Sequence, residues 1–294
     1  MNFNFLKYRK VFYIFSAVLI LGSIISLIIF GLKPGIDFTG GSILEMDFKA
    51  DKPSNQEIEG KLSELNLGEI ILQSTGDRGV IIRMKEINEE THQEILRRFE
   101  GAEERYFEIV GPTVGRELEQ KTKIAIILAL IAIVCYIALA FRKISRPVAS
   151  WQYGFATLFA LFHDLLIPLG VFAYLGKFYN AEITIPIIAA LLTVLGYSVH
   201  DTIVIFDRIR ENLLKKFSSS FEETVNWSLN QTLSRSINTV LTVLFVLFAL
   251  FFFGGETLKY FSLTLIIGII SGAYSSIFIA SPILVSWLKW REKR

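Results

Sequence analysis

The sequence predicts a polytopic α-helical membrane protein with six transmembrane helices and a small α+β domain outside the membrane between helices 1 and 2. Three observations lead there. First, hydrophobic residues make up 52% of the 294-residue chain, more than a soluble domain of this size carries. They gather in six runs, at about 11–32, 124–141, 155–174, 183–206, 237–253 and 261–288. Runs of about 20 apolar residues span a hydrocarbon core of roughly 30 Å as helices. Second, residues 34–120 hold no such run and are rich in Glu, Lys and Arg. Third, the basic residues lie on one side of the runs.

The elements follow in order. Residues 1–33 are the N-terminus and first span, read as a retained anchor because the run is long for a signal h-region and no A-x-A-like site follows it. In the external segment "GSILEMDF" reads as a strand, with Leu44, Met46 and Phe48 alternating against Ile43, Glu45 and Asp47. "SNQEIEGKLSELN" reads as a helix: Ser54 and Glu57 form a capping box, and Ile58, Leu62 and Leu65 a stripe. "EIILQST" and "GVIIRMK" are strands joined at "GDR", "EETHQEILRRFE" is a helix and "ERYFEIVG" a final strand. Strand, helix, strand, strand, helix, strand is the ferredoxin-like pattern, which hosts many functions and identifies none.

"VGPTVGRELEQK" punctuates the entry to a second span at 121–141. Further spans are expected at 150–176, 183–207, 235–254 and 259–288, with a tail at 289–294. Residues 208–234 are expected to be a cytoplasmic loop with an amphipathic helix, to which Phe221, Val225, Trp227, Leu229 and Leu233 give a partial apolar face, lying along the membrane or on the protein surface. Lys7, Arg9 and Lys10; Arg142, Lys143 and Arg146; Arg208, Arg210, Lys215, Lys216 and Arg235; and Lys289, Arg291, Lys293 and Arg294 all fall on one side. The short loops opposite carry Lys177 and Lys259. The positive-inside rule then puts both termini in the cytoplasm.

An ionisable group inside a membrane helix costs about 3 kcal/mol on insertion scales and is a functional-site hypothesis by default. The candidates are His163 and Asp164 in the third span, His200 and Asp201 in the fourth, and Arg235 at the start of the fifth. Asp201 precedes Arg208 by seven residues, about 10 Å along a helix, so its carboxylate lies within the bilayer and must face other helices, water or a cation. Arg235 enters from the same side, and Thr239 shares its helix face. An Asp–Arg contact that depends on a proton is a natural coupling switch. The competing readings are structural: Asp201 as a buried packing acid, Arg235 as an interfacial anchor, and His163–Asp164 as a satisfied polar pair. His200 points about 100° away from Asp201 and need not share its contacts.

Gly268 and Gly272 form a GxxxG spacing followed by Ala273, Ser275 and Ser276, small residues that let helices approach in lipid. Cys135 is the only cysteine, so neither an intrachain disulfide nor a thiol metal site is expected. No GxxxxGK[ST], HExxH or GxSxG occurs. Asp164 and Asp201 as an intramembrane protease pair have no support in the residues around them.

"GIDFTGG", "VGPTVGRELE", "GYSVHDTIVIFDRIREN" and "TLSRSINTVLTV", in that order, resemble the SecF subunits of the SecD/SecF family, within the resistance–nodulation–division superfamily. The resemblance covers essentially the whole chain. It implies a bacterial cell-membrane subunit that is not an enzyme. Such a subunit works with SecD at the SecYEG channel, and with other accessory subunits, to move a translocating polypeptide with the energy of an ion gradient. No nucleic acid and no cofactor is implied beyond the transported proton or sodium ion. By the same resemblance Asp201, Arg235 and Thr239 match the family's ion-coupling residues. Gly35, Asp37, Phe38, Gly40 and Gly41, then Gly111, Pro112 and Gly115, and Gly196 match its motifs. The family commonly has Asn where this chain has His200, and a titratable ring there bears on the pH range or the ion used. A small-molecule exporter half of the same superfamily and a structural scaffold of the translocase are the rival functions.

Overall fold

A computed structural model of the chain describes residues 3–49, 52–140, 147–216, 218 and 220–292, leaving aside the side chains of residues 138, 256 and 257. The basic cluster Arg142, Lys143 and Arg146, with the terminal Lys293 and Arg294, lies outside the described residues. Among the described residues, six helical stretches are long and apolar enough to cross a membrane: Phe5–Phe30, Pro112–Ile137, Ser150–Tyr179, Ile185–Leu214, Phe221–Phe253 and Leu258–Glu292. The chain divides into two compact units, one helical and one built around residues 33–125 with 182–185.

The second unit begins with a one-turn helix α2 (Ile36–Thr39), which follows α1 (Arg9–Phe30) in the chain. Then come β1 (Gly41–Phe48), α3 (Asn55–Leu62), β2 (Ile71–Thr75), β3 (Gly79–Met84), α4 (Glu89–Arg98) and β4 (Ala102–Val110). The sheet order is β2-β3-β1-β4, antiparallel throughout. This is the expected ferredoxin-like arrangement. Alternation buries Leu44, Met46 and Phe48 of β1 against Ile58 and Leu62 of α3 and Ile95 of α4. The expected capping box forms: Ser54 N–H donates to Glu57 (2.8 Å) and Glu57 N–H donates to Ser54 Oγ (3.3 Å).

The glycine motifs are explained by this unit. Gly40 and Gly41 have φ of +76° and +138°, values that L side chains rarely adopt. A Cβ on Gly40 would sit 2.9 Å from Pro112 Cα, and one on Gly41 2.7 Å from the Met84 carbonyl oxygen. A Cβ on Gly115 would sit 3.0 Å from both Gly40 N and the Phe38 carbonyl oxygen. The backbone of "DFTGG" thus lies directly against the start of α5 (Pro112–Ala140), and the two motifs are two sides of one close contact.

The helical unit holds α1, the later part of α5, α6 (Ser150–Tyr179), α7 (Ile185–Leu214), α8 (Phe221–Phe253), α9 (Gly255–Ser275), a π-helical turn at Ser276–Ala280 and α10 (Ser281–Glu292). Helix α6 packs against α1 and α9, and α8 packs against α9. The GxxxG positions bring α9 against α7: a Cβ on Gly268 would lie 2.2 Å from Val194 Cγ2, and one on Gly272 3.0 Å from Ser198 Cβ.

The expected loop at 208–234 is not a loop with a separate helix. Helix α7 runs on to Leu214, and α8 is continuous from Phe221 into its spanning part. Ile209, Val225 and Leu229 are buried in the shared core, and Asn212 donates to Ser228 Oγ (2.8 Å) and Gln231 Oε1 (2.9 Å). The N-terminal segment, a single 3-10 turn at Phe5–Tyr8, closes over the same place. Phe5 N–H donates to Asn226 (2.9 Å), Phe3 N–H to Asn230 (2.8 Å), and Arg9 and Lys289 both pair with Glu222. The apolar stripe read from the sequence therefore meets protein rather than a lipid surface.

Gly41→Ala combines a strained φ with a backbone clash. It is expected to destabilise the chain by about 1–3 kcal/mol, read as a lower thermal midpoint in detergent, while Gly60→Ala, in open space on α3, leaves the midpoint unchanged or higher.

Candidate functional site

Helix α7 carries polar groups on two faces. Ser198 and Thr202, one turn apart, share a face; Asp201, between them in sequence, faces elsewhere. Ser198 Oγ–H donates to Asp164 Oδ2 of α6 at 2.6 Å. Thr202 and Ser276 hydroxyls meet at 2.7 Å. On the other face, Ser236 Oγ–H of α8 donates to Asp201 Oδ1 at 2.7 Å. Asp201 Oδ2 is buried and has no hydrogen-bond partner among the described residues.

The two predicted carboxylates are thus surrounded differently. Asp164 is wholly buried and meets four groups. Ser198 and Ser275 donate to Oδ2 (2.6 and 2.7 Å), Ser271 donates to Oδ1 (3.1 Å), and His163 Nδ1 lies 2.9 Å from Oδ1. With its proton on Nδ1, His163 completes the set and leaves Nε2 as a buried lone pair without a partner, cheaper than an orphaned N–H. The predicted His163–Asp164 pair therefore exists, extended by three serines. Asp201 receives one donor and keeps one oxygen without any.

The expected Asp201–Arg235 ion pair does not form among the described residues. Ser236, the next residue on α8, takes that place. The reason is azimuth: neighbours on a helix point about 100° apart, and Ser236 is 3% exposed while Arg235 and Thr239 lie on the exposed side. Arg235 and Thr239 do share a face, and Thr239 Oγ1–H donates to the Arg235 carbonyl (2.9 Å). His200 is exposed beside a pocket of about 390 Å³ lined also by Ile133, Tyr136, Gly196 and Val199. Gly196 has open space around it. Of the motif residues in the second unit, Asp37 accepts from the Ile185 N–H at 2.7 Å. Burial pushes the Asp37 carboxyl above its ordinary range, that N–H pulls it down, and Glu108 pushes it up again. Gly111 sits near the Glu86 carboxylate. No cluster of His, Cys, Asp and Glu fit to hold a metal ion occurs among the described residues.

Ser198, Thr202, Ser236 and Ser271 are the residues that sequence reasoning missed, and Ser275 was read only as small. Their signal is present: hydroxyls one turn apart (198 and 202, 271 and 275) inside apolar helices.

With this geometry in place, comparison with known proteins decides the family. Residues 91–290 match the family described as protein export membrane protein SecD/SecF, C-terminal, and residues 25–52 match the SecD/SecF GG motif. The chain belongs to the SecD/SecF family. It is similar to the protein translocase subunit SecF of Thermobaculum terrenum, 46% identical over 97% of this chain and 93% of the relative. It also resembles that of Rickettsia rickettsii, 38% identical over 98% and 92%. Among solved structures, SecDF of Thermus thermophilus, a translocon-associated membrane protein, matches the whole chain with a TM-score of 0.86 at 33% identity. SecDF in a super-membrane-facing form matches with a TM-score of 0.70 at the same identity. The chain spans 39% and 40% of those SecDF chains. The GG motif of the family is the Gly40–Gly41 pair whose positive φ and lack of room leave no place for a side chain.

Asp164→Ala leaves buried hydroxyls without their acceptor. It is expected to cost at least about 2 kcal/mol, measured by thermal unfolding in detergent, whereas the exposed Arg235→Gln changes stability by under about 0.5 kcal/mol.

Proposed function

We propose that this chain is a SecF-type subunit of the protein-export translocase, which works with a SecD partner to turn a proton or sodium gradient into movement of a polypeptide during the late steps of its export. The observation that carries the reading is Asp201. It is a carboxylate within a membrane-spanning helix, held by Ser236 through one oxygen, with its second oxygen buried and without a partner among the described residues. A carboxylate left half-satisfied in an apolar setting is costly as an anion. A proton or a cation would satisfy it. Moving one charge across 100 mV supplies about 2.3 kcal/mol, enough to bias a two-state packing of α7 against α8.

On this reading the chain makes and breaks no covalent bonds and needs no cofactor, because the gradient supplies the work. Arg235 and Thr239 lie on the exposed side of α8, so they would act toward Asp201 after a change of helix packing or across the face where SecD docks. SecYEG and other accessory subunits would receive the motion of the external domain. The distribution of Lys and Arg supports cytoplasmic termini in the bacterial cell membrane. Asp164, with four partners, is on this reading the fixed point rather than the moving one.

In membrane vesicles holding the partner subunit and the export channel, Asp201→Asn is expected to reduce export to the level seen without an imposed gradient, with assembly equal to wild type. Ser236→Ala is expected to shift the pH dependence of gradient-stimulated export without abolishing it. Undiminished stimulation in Asp201→Asn would leave the scaffold role standing instead.

A further inference from the structure

The connection between α6 and α7 is short, yet it is built into the external domain. Ile183 N–H donates to the Lys33 carbonyl (2.7 Å), and Gly35 N–H donates to the Ile183 carbonyl (2.8 Å), which makes a parallel bridge between Pro34 and Ile183. A Cβ on Gly35 would sit 3.0 Å from Thr184 Cγ2 and 3.2 Å from the Ile183 carbonyl oxygen, so the two backbones touch. Glu182 is 7% exposed. Its Oε2 lies 3.2 Å from Arg83 Nε on β3, and its Oε1 lies 3.9 Å from Lys33 Nζ. Arg83 is itself held on the sheet by donating Nη1–H to Gln73 of β2 (2.9 Å). Its Nε–H is not aligned for a hydrogen bond to Glu182, so that contact is an ion pair of proximity. The first amide of α7, Ile185 N–H, gives its hydrogen bond to Asp37, 148 residues away in sequence.

A connector that had only to reverse the chain would carry exposed polar residues. A buried carboxylate costs more than it returns unless charged partners surround it, and its use here specifies one docking arrangement. An anion at a helix N-terminus is stabilising, and here the anion comes from the GG-motif segment rather than from the helix's own flank. Asp201 lies 16 residues after Ile185 on the same unbroken helix, about 24 Å along it.

We infer that Glu182 and Asp37 are positioning residues of a permanent latch that makes the α6–α7 connector, up to Ile185 at the start of α7, part of the external domain, so that a displacement of α7 at Asp201 pulls on that domain through the continuous helix. The coupling part of this rests on the export function proposed above; the latch itself does not. In this role Glu182 and Asp37 act through the helix they hold.

The test uses the full chain with its partner subunit. Hydrogen–deuterium exchange of the Ile183 and Ile185 amides is expected to rise about tenfold or more in Glu182→Ala and Asp37→Ala, and the reversed pair Glu182→Arg with Arg83→Glu restores protection. Both single variants are expected to assemble normally and to lose gradient-stimulated export while keeping gradient-independent export. A disulfide between Pro34→Cys and Ile183→Cys, in a Cys135→Ser background, is expected to leave export at the wild-type level when oxidised and to restore stimulation to Glu182→Ala. The proposal is overturned if exchange at the two amides is unchanged in both variants. It is equally overturned if the variants keep full stimulation, or if the oxidised disulfide stops export, which would mean that the connector must leave the domain during the cycle. If the wild type itself shows no gradient stimulation, the ion-driven reading falls and the exchange result alone decides the latch.

Discussion

A polar group placed among these apolar helices calls for a partner inside the protein, because hydrocarbon offers none. Asp164 meets that demand with short side chains from neighbouring helices: Ser198 on α7, and Ser271 and Ser275 on α9. A serine hydroxyl has little reach, so the helices must come close, and Gly268 and Gly272 make the approach of α9 to α7 possible. Small residues, close packing and a satisfied carboxylate are thus three links of one chain of cause. The π turn at Ser276–Ala280 sits directly beyond Ser275, and its first residue bonds to Thr202. Single π turns of this kind inside α-helices occur frequently at functional sites.

The same helix α7 shows the opposite solution on its other face. Among the described residues Asp201 has a single donor, Ser236, and one buried oxygen without a partner. One carboxylate is fully solvated by protein and the other only half. That difference, rather than the mere presence of two acids, separates a fixed joint from a group whose environment can change. The rest of α7 is arranged consistently with it. Its C-terminal end is packed against the beginning of α8 through Asn212, Val225 and Leu229, and its first amide is held by Asp37.

The sequence carried the architecture because hydropathy and periodicity are local. Six runs of sufficient length specify six helices whatever they pack against. The alternation in "GSILEMDF" and the Ser54–Glu57 box give a strand and a capped helix without long-range information. The two glycine motifs were visible as punctuation. That they touch each other was not, since Gly40 and Pro112 are joined only by the closure of the β1–β4 sheet. The amphipathic stripe of 221–233 was legible, but its partner was not. An apolar face looks the same whether it meets lipid or, as here, the end of α7.

What the sequence determined by itself was the count and order of spans, the ferredoxin-like order of the external unit, and the short roll of ionisable residues inside the membrane, Asp164 and Asp201 among them. What only the tertiary structure decided was the identity of their partners. Depth along a helix follows from 1.5 Å per residue and can be counted. Which side chain faces a neighbour follows from azimuth and helix crossing, where a shift of one residue is a turn of about 100°. Counting depth placed Arg235 beside Asp201; the crossing of α7 and α8 put Ser236 there instead.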